Sequence, residues 1–212
     1  MHLRVHCVHT YSHVDMSIAD TSLAPLGLQG RSVYESLVCV QYVDEMAIAA
    51  GSDIPLLPSD PMERARVRIW ADLVNKHCCS PYYGVLVKTD EAGRKESFEQ
   101  LLAGLRRFTA ELRGRFFCGD QISLVDVALL PWAYRYYVFP HYKGAQYAIP
   151  HDEPALRRFH EWLADMVALP QVARTLPDKD RYLEHIAKYA TDSARSKVAE
   201  AVRAGGVAHD IE

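Results

Sequence analysis

A mainly α protein, an all-helical bundle preceded by a short α/β piece, is what this chain predicts, and three observations carry it. Beyond residue 60 the apolar residues recur at helical spacing in one segment after another. Those segments open with readable helix starts: Asp60-Pro61, Ser123 with Asp126, and Pro154. Residues 1 to 60 differ in character, with short β-type pieces, Gly27 and Gly30, and four closely spaced histidines.

The first bundle helix begins in PSDPMERARVRIWADLVNKHC. Asp60 is a good N-cap, Pro61 fits the first helical position, and Glu63 stands three residues past the cap. Met62, Ala65, Ile69, Trp70, Leu73 and Val74 recur at helical spacing, and Ser80-Pro81 ends or kinks the helix. KESFEQLLAGLRRFTAELRGRFF predicts a core-facing helix from about 92 to 113, with Phe98, Leu101, Leu102, Leu105, Phe108 and Leu112 in one stripe. In FFCGDQISLVDVALLPWAYRYY, Ser123 and Asp126 make a capping box, and Ile122 with Val127 a hydrophobic staple. That helix is apolar nearly all round, so it belongs at the buried centre, and Asp126 reads as a cap rather than a catalytic acid. Three helices follow: 154–166 behind an Asp152 cap, a short one opened by Pro170, and 178–189. The tail is a weakly amphipathic Ala/Arg helix stopped by Gly205-Gly206, which packs back on the bundle or stays mobile.

Bulk properties narrow the function. The 212 residues hold 24 Lys+Arg against 27 Asp+Glu, a net charge of −3, which does not suggest a nucleic-acid partner. No apolar run approaches the ~18–20 residues that span a bilayer, and MHLRVHCVHTYSH is too polar for a signal peptide, so a cytoplasmic protein is expected. The five cysteines are odd in number and lack a C-x-x-C, which fits a reducing compartment and packed thiols rather than a disulfide framework.

GRSVYESLVCVQYVDE (30–45) places an acid and a hydroxyl, Glu35-Ser36, at the mouth of a helix. From spacing alone, Ser36 caps the helix and Glu35 favours its dipole. The same pair can bind a ligand: a carboxylate pairs with an ammonium, while a hydroxyl and free helix amides take a carboxylate.

Four words in order, GRSVYESLVCVQYVDE, LLPSDPMERARVRIWAD, FFCGDQISLVDVALLPW and ALPQVART, span roughly residues 23 to 176 and resemble the cytosolic glutathione transferases. LLPSDPMERARVRIWAD looks like the omega and tau-like branch, and the tail from RYLEHIAKYATD onward looks like the thiol-dependent reductases of trypanosomatid parasites. The resemblance implies a thioredoxin-like α/β domain ahead of the bundle, here partial, with glutathione as ligand and Glu35 and Ser36 on its γ-glutamyl end. It implies a cis-proline offering backbone bonds to the glutathione cysteine, for which Ala24-Pro25 is the candidate. It also implies a second-substrate pocket between the domains, with Trp70, His77, Tyr82, Tyr83 and Trp132 able to face it, although an aromatic stripe is also what a core requires. The implied organisation is 1–50 for the glutathione-binding domain, 51–60 for a linker, 61–190 for the bundle and 191–212 for a tail helix.

The N-terminus departs from that pattern. A βαβ unit takes about 30 residues or more, and only 24 stand before Pro25. Three readings arise for HLRVHCVHTYSHVDMSIADTS: a displaced nucleophile at Cys7, Tyr11 or Ser12; a metal held by His2, His6, His9 and His13; or a divergent, loosely packed segment, the expected case. His77-Cys78-Cys79 could likewise hold a thiol or metal site, yet no metal is expected. Apolar surface left uncovered by a truncated first domain predicts a homodimer. The function expected is a glutathione-dependent thiol transferase or reductase acting on disulfide or electrophilic substrates, weak or inactive in this form. The alternative is a non-catalytic, transferase-like module that docks proteins.

Overall fold

The structure is a computed structural model and describes residues 33–191 and 197–206. Among the described residues no β-strand is present; one isolated bridge joins Phe116 to Gly119. The α/β piece ahead of the bundle, with Cys7, Ala24-Pro25 and the four histidines, lies outside the described residues.

Helix α1 spans Ser36–Ala49, and a connection over 50–60 leads to α2, Pro61–Val74. Asp60 caps α2 as expected, its carboxylate accepting the Glu63 amide at 2.8 Å. The helix runs directly into a π-helical turn, Asn75–Cys79, closed by the Ser80 amide on the Asn75 carbonyl at 2.9 Å, and then α3, Pro81–Val87. Pro81 therefore marks a widened turn between two helices rather than an end. Helix α4 spans Glu91–Ala110 under an Asp90 cap, starting one residue before and stopping three before the expected bounds. Leu112 falls just past it, while Phe98, Leu101, Leu102, Leu105 and Phe108 are all buried as the stripe requires.

Helix α5, Leu124–Ala133, is the buried centre that its composition predicts. It is followed by α6 (Val138–Lys143) and a 3-10 turn, Ala145–Tyr147, in a segment that carries no clear helical period. Helix α7, Pro154–Ala168, buries Leu156, Phe159, Trp162 and Met166. Its N-cap position is Glu153, not the expected Asp152, and Glu153 makes no cap bond because its carboxylate receives the Arg106 guanidinium at 2.7 and 2.9 Å. Helices α8 (Pro170–Ala173) and α9 (Lys179–Ala190) follow, the latter capped by Asp178 on the Arg181 amide at 3.0 Å. Helix α10, Lys197–Arg203, packs back on the bundle, with Ala199 and Val202 buried, and ends where Gly205 takes a φ of 94°. That left-handed conformation favours glycine.

Helical spacing did not say which stripe of α2 would face inward. Val67, Ala71 and Val74 are buried, whereas Met62 is 76% and Ile69 59% exposed. Helix α4 closes tightly on the π-turn at Gly104, where a Cβ would run into the His77 carbonyl.

Candidate functional site

Glu35 is the N-cap residue of α1 and has φ 67° and ψ 119°. It is the one non-glycine residue with positive φ among those described. A left-handed φ without glycine costs on the order of 1–3 kcal/mol and tends to cluster at ligand sites. The Glu35 carbonyl accepts the Cys39 amide at 2.8 Å, so the strained residue starts the helix. Its carboxylate is exposed and makes no side-chain cap bond, and Ser36, one residue into the helix, makes no side-chain hydrogen bond to another described residue. The expectation that Ser36 is simply the helix cap is therefore corrected: the cap position belongs to Glu35, and the first-turn amides keep their capacity to donate.

Ser36 opens onto a cleft between two helices. Leu37 and Val40 of α1 form one wall, Val127, Ala128, Pro131 and Trp132 of α5 the other, and Asn75 of the π-turn closes one end. The lining is apolar apart from the Ser36 hydroxyl and the Asn75 carboxamide. The geometry offered there is a polar group at a helix N-terminus beside apolar walls. Asn75 was not identified from the sequence; the π-turn that places it here leaves no signature in residue spacing.

The five aromatic and polar groups expected in a second-substrate pocket do not share one wall. Trp132 lines the cleft. Tyr82 and Tyr83 stand behind it, with ring centroids 5.4 and 5.6 Å from the Trp132 ring. Both are buried, Tyr82 with its hydroxyl 3.4 Å from that of Tyr182, and burial pushes both phenols well above their ordinary range. Trp70 and His77 lie in a separate shallow groove between α2 and α4, with Leu73, Cys78 and Arg107. Trp70 and His77 stand on α2 and the π-turn, whereas Tyr82 and Tyr83 stand on α3 beyond Pro81, so the two pairs face different neighbours.

Ser123 and Asp126 form the expected capping box, and it extends beyond α5. The Asp126 carboxylate accepts the Ser123 amide at 2.8 Å, the Ser123 hydroxyl at 2.7 Å, the Trp162 indole N–H at 2.8 Å and the Phe117 amide at 3.1 Å. With every bond internal and no exposed surface, Asp126 is structural.

Three of the four described thiols are poorly placed for attack. Cys78 and Cys79 are buried, and burial drives both thiols far up; Cys118 is half-buried and also raised, chiefly by burial. A thiol raised in this way is protonated at neutral pH and a poor nucleophile. The described residues contain no group of three or more His, Cys, Asp or Glu suited to a metal, which includes His77-Cys78-Cys79. No described helix is long and apolar enough to cross a membrane.

The architecture is a helical bundle joined to a helix with an acid and a hydroxyl at its mouth and a small cleft at the junction. Comparison with known proteins agrees and makes it specific. The family model for the glutathione S-transferase C-terminal domain matches residues 91–165. A maize glutathione transferase, GST 23 from Zea mays, is 33% identical over 155 residues, covering 73% of this chain and 67% of its own length. The omega 3C glutathione transferase of Trametes versicolor superposes with a TM-score of 0.66 at 30% identity, over 80% of this chain and 70% of that one. The chain belongs to the glutathione transferase family, a family of enzymes. The trypanosomatid likeness is of fold alone: a trimeric Leishmania glutathione transferase matches at 23% identity and a TM-score of 0.55, over 76% of this chain and 36% of that one.

Proposed function

We propose that this chain is a glutathione-dependent thiol transferase or reductase acting on disulfide or electrophilic substrates, with Glu35 and Ser36 holding the γ-glutamyl end of glutathione. The observation that carries the reading is the strained Glu35 backbone beside the two free polar side chains and the open first-turn amides of α1. The Glu35 carboxylate would pair with the γ-glutamyl ammonium, and the Ser36 hydroxyl and helix amides would take its carboxylate. A rice relative, solved as a complex with glutathione, shares the fold. The second substrate would enter the apolar cleft against Trp132, with Trp70, His77, Tyr82 and Tyr83 supporting that wall or lying outside it.

Two chemical routes follow. With an electrophile, the glutathione thiolate itself attacks carbon, the leaving group departs with its electron pair, and the thiol proton goes to solvent. With a glutathione mixed disulfide as substrate, a protein thiolate would attack the glutathionyl sulfur and expel the substrate thiolate; a glutathione thiolate would then attack the protein–glutathione disulfide, freeing the protein thiolate and releasing oxidised glutathione. The raised thiols of Cys78, Cys79 and Cys118 favour the first route; for the second we propose Cys7 in the nucleophile role, with Ala24-Pro25 presenting backbone bonds to the glutathione cysteine. We further propose a cytoplasmic homodimer, in keeping with the free thiols Cys39, Cys78, Cys79 and Cys118 and the exposed Met62 and Ile69 on α2.

Thermal unfolding with and without glutathione tests the reading. Ligand at about a hundred times its dissociation constant adds about 2.7 kcal/mol. Each kcal/mol moves the midpoint of a chain this size by about 2–4 °C. A shift of that order in the wild type, absent in Glu35→Ala and Ser36→Ala, is expected. No shift at millimolar glutathione overturns it and favours the protein-docking module.

A further inference from the structure

Leu56 stands where α1 meets the bundle, and both of its backbone polar groups are engaged there. Its amide donates to the Asp44 carboxylate of α1, at 3.1 Å to Oδ1 and 3.2 Å to Oδ2. Its carbonyl accepts the amide of Leu124 at 3.0 Å. Leu124 is the first residue of α5, so its N–H has no partner inside its own helix. The Leu56 side chain packs half-buried against the core.

These bonds close a ring around the cleft. One wall runs from Ser36 along α1 to Asp44, about two turns away. Leu56 then bridges to Leu124, and α5 returns through Val127 and Ala128 to face Ser36. A second tie lies one turn along the same face of α1, where the Arg68 Nε donates to the Gln41 Oε1 at 2.8 Å. Asp44 has no ion-pair partner among the described residues. Burial raises its carboxyl, the Leu56 amide lowers it in part, and Glu45 adds to the rise. A carboxylate held partly out of water with its lone pairs on one loop amide is costly where only helix packing is at stake.

We propose that Asp44 is a positioning residue: through Leu56 it registers α1 on α5 and so fixes the Glu35–Ser36 end against the Trp132 wall. Its effect on ligand rests on the glutathione reading above; its effect on α1 does not. Without the Asp44 bonds, α1 keeps Leu37, Val40 and the Gln41 tie but can pivot about them, and the distance across the cleft is no longer set.

Amide hydrogen exchange of the full chain tests this on wild type, Asp44→Leu and Asp44→Asn, with Asp44→Ala in place of the leucine variant should that one fail to fold. In Asp44→Leu the amides of α1 should exchange about ten- to a hundred-fold faster while those of α4 and α5 keep their protection. Asparagine retains one acceptor oxygen for the Leu56 amide and should restore wild-type exchange. The glutathione-induced midpoint shift should fall in parallel in Asp44→Leu and recover in Asp44→Asn. Unchanged α1 exchange in Asp44→Leu overturns the proposal. So does acceleration spread equally over α4 and α5, which marks a general loss of stability, or failure of asparagine to rescue. A wild type that shows no glutathione shift defeats the binding reading instead, and the exchange data still decide Asp44.

Discussion

Two helix mouths in this molecule carry the same chemistry, an acid and a hydroxyl, and use it in opposite ways. At α5, Ser123 and Asp126 are buried and every polar atom is bonded inward, to the helix, to the Phe117 loop and to Trp162 of α7. At α1, Glu35 and Ser36 keep their side chains free of cap bonds, and Glu35 holds a backbone that only glycine adopts without strain. A polar pair that is fully bonded inside the protein stabilises the fold. A pair that is strained and left open does not serve the fold in that way, in keeping with the ligand role proposed for it.

Substitutions sharpen that contrast. The largest effect is expected at Asp126→Ala, which orphans two amides, a hydroxyl and an indole N–H in the core; a loss of about 3–5 kcal/mol should appear in denaturant unfolding. The pH dependence has a definite sign. Burial raises the Asp126 carboxyl, with hydrogen bonds from Ser123, Trp162 and Phe117 opposing it. A raised carboxyl contributes stability below its unfolded value and loses that contribution as pH rises through its folded value. The wild-type curve minus that of Asp126→Asn should therefore decline from about pH 4 upward; a difference that grows with pH would show the hydrogen bonds outweighing burial.

Ser123→Ala should cost less, about 1–2 kcal/mol, because the carboxylate keeps its other donors. Glu35→Gly should act in the opposite direction, raising the stability of the ligand-free protein by up to about 1 kcal/mol by relieving the left-handed φ. A destabilised Glu35→Gly would mean that its carboxylate supports the fold, and the contrast between the two mouths would fail. Ser36→Ala should be the smallest, within about 0.5 kcal/mol without ligand, since its hydroxyl caps nothing. The same thermal scans, repeated with glutathione, separate a silent residue from a binding one.

Legibility in the sequence followed the reach of the interactions. The α2 cap and the Ser123–Asp126 box were readable because each rests on residues within one turn of each other, and α5 because its apolar run is continuous. The Glu153 cap position was misplaced by one residue because its carboxylate answers Arg106, 47 positions away. Met62 and Ile69 look like core by spacing and are exposed, because α5 packs on α2 and the Val67 stripe turns inward. Tyr82 and Tyr83 were expected to face the second-substrate pocket, yet α3 places them behind Trp132. Asn75 and Asp44 gave no local signal, since their roles depend on where other helices come to rest.

The sequence by itself determined the helix starts, the buried centre and the family, through short-range hydrogen bonds and an apolar pattern that hold in any arrangement of the bundle. Only the tertiary structure decided which face of α2 turns inward, the left-handed φ at Glu35 and the Asp44–Leu56–Leu124 tie. Each of these depends on contacts between segments far apart in the chain, and a neighbour-by-neighbour pattern holds no record of such contacts until the helices have packed.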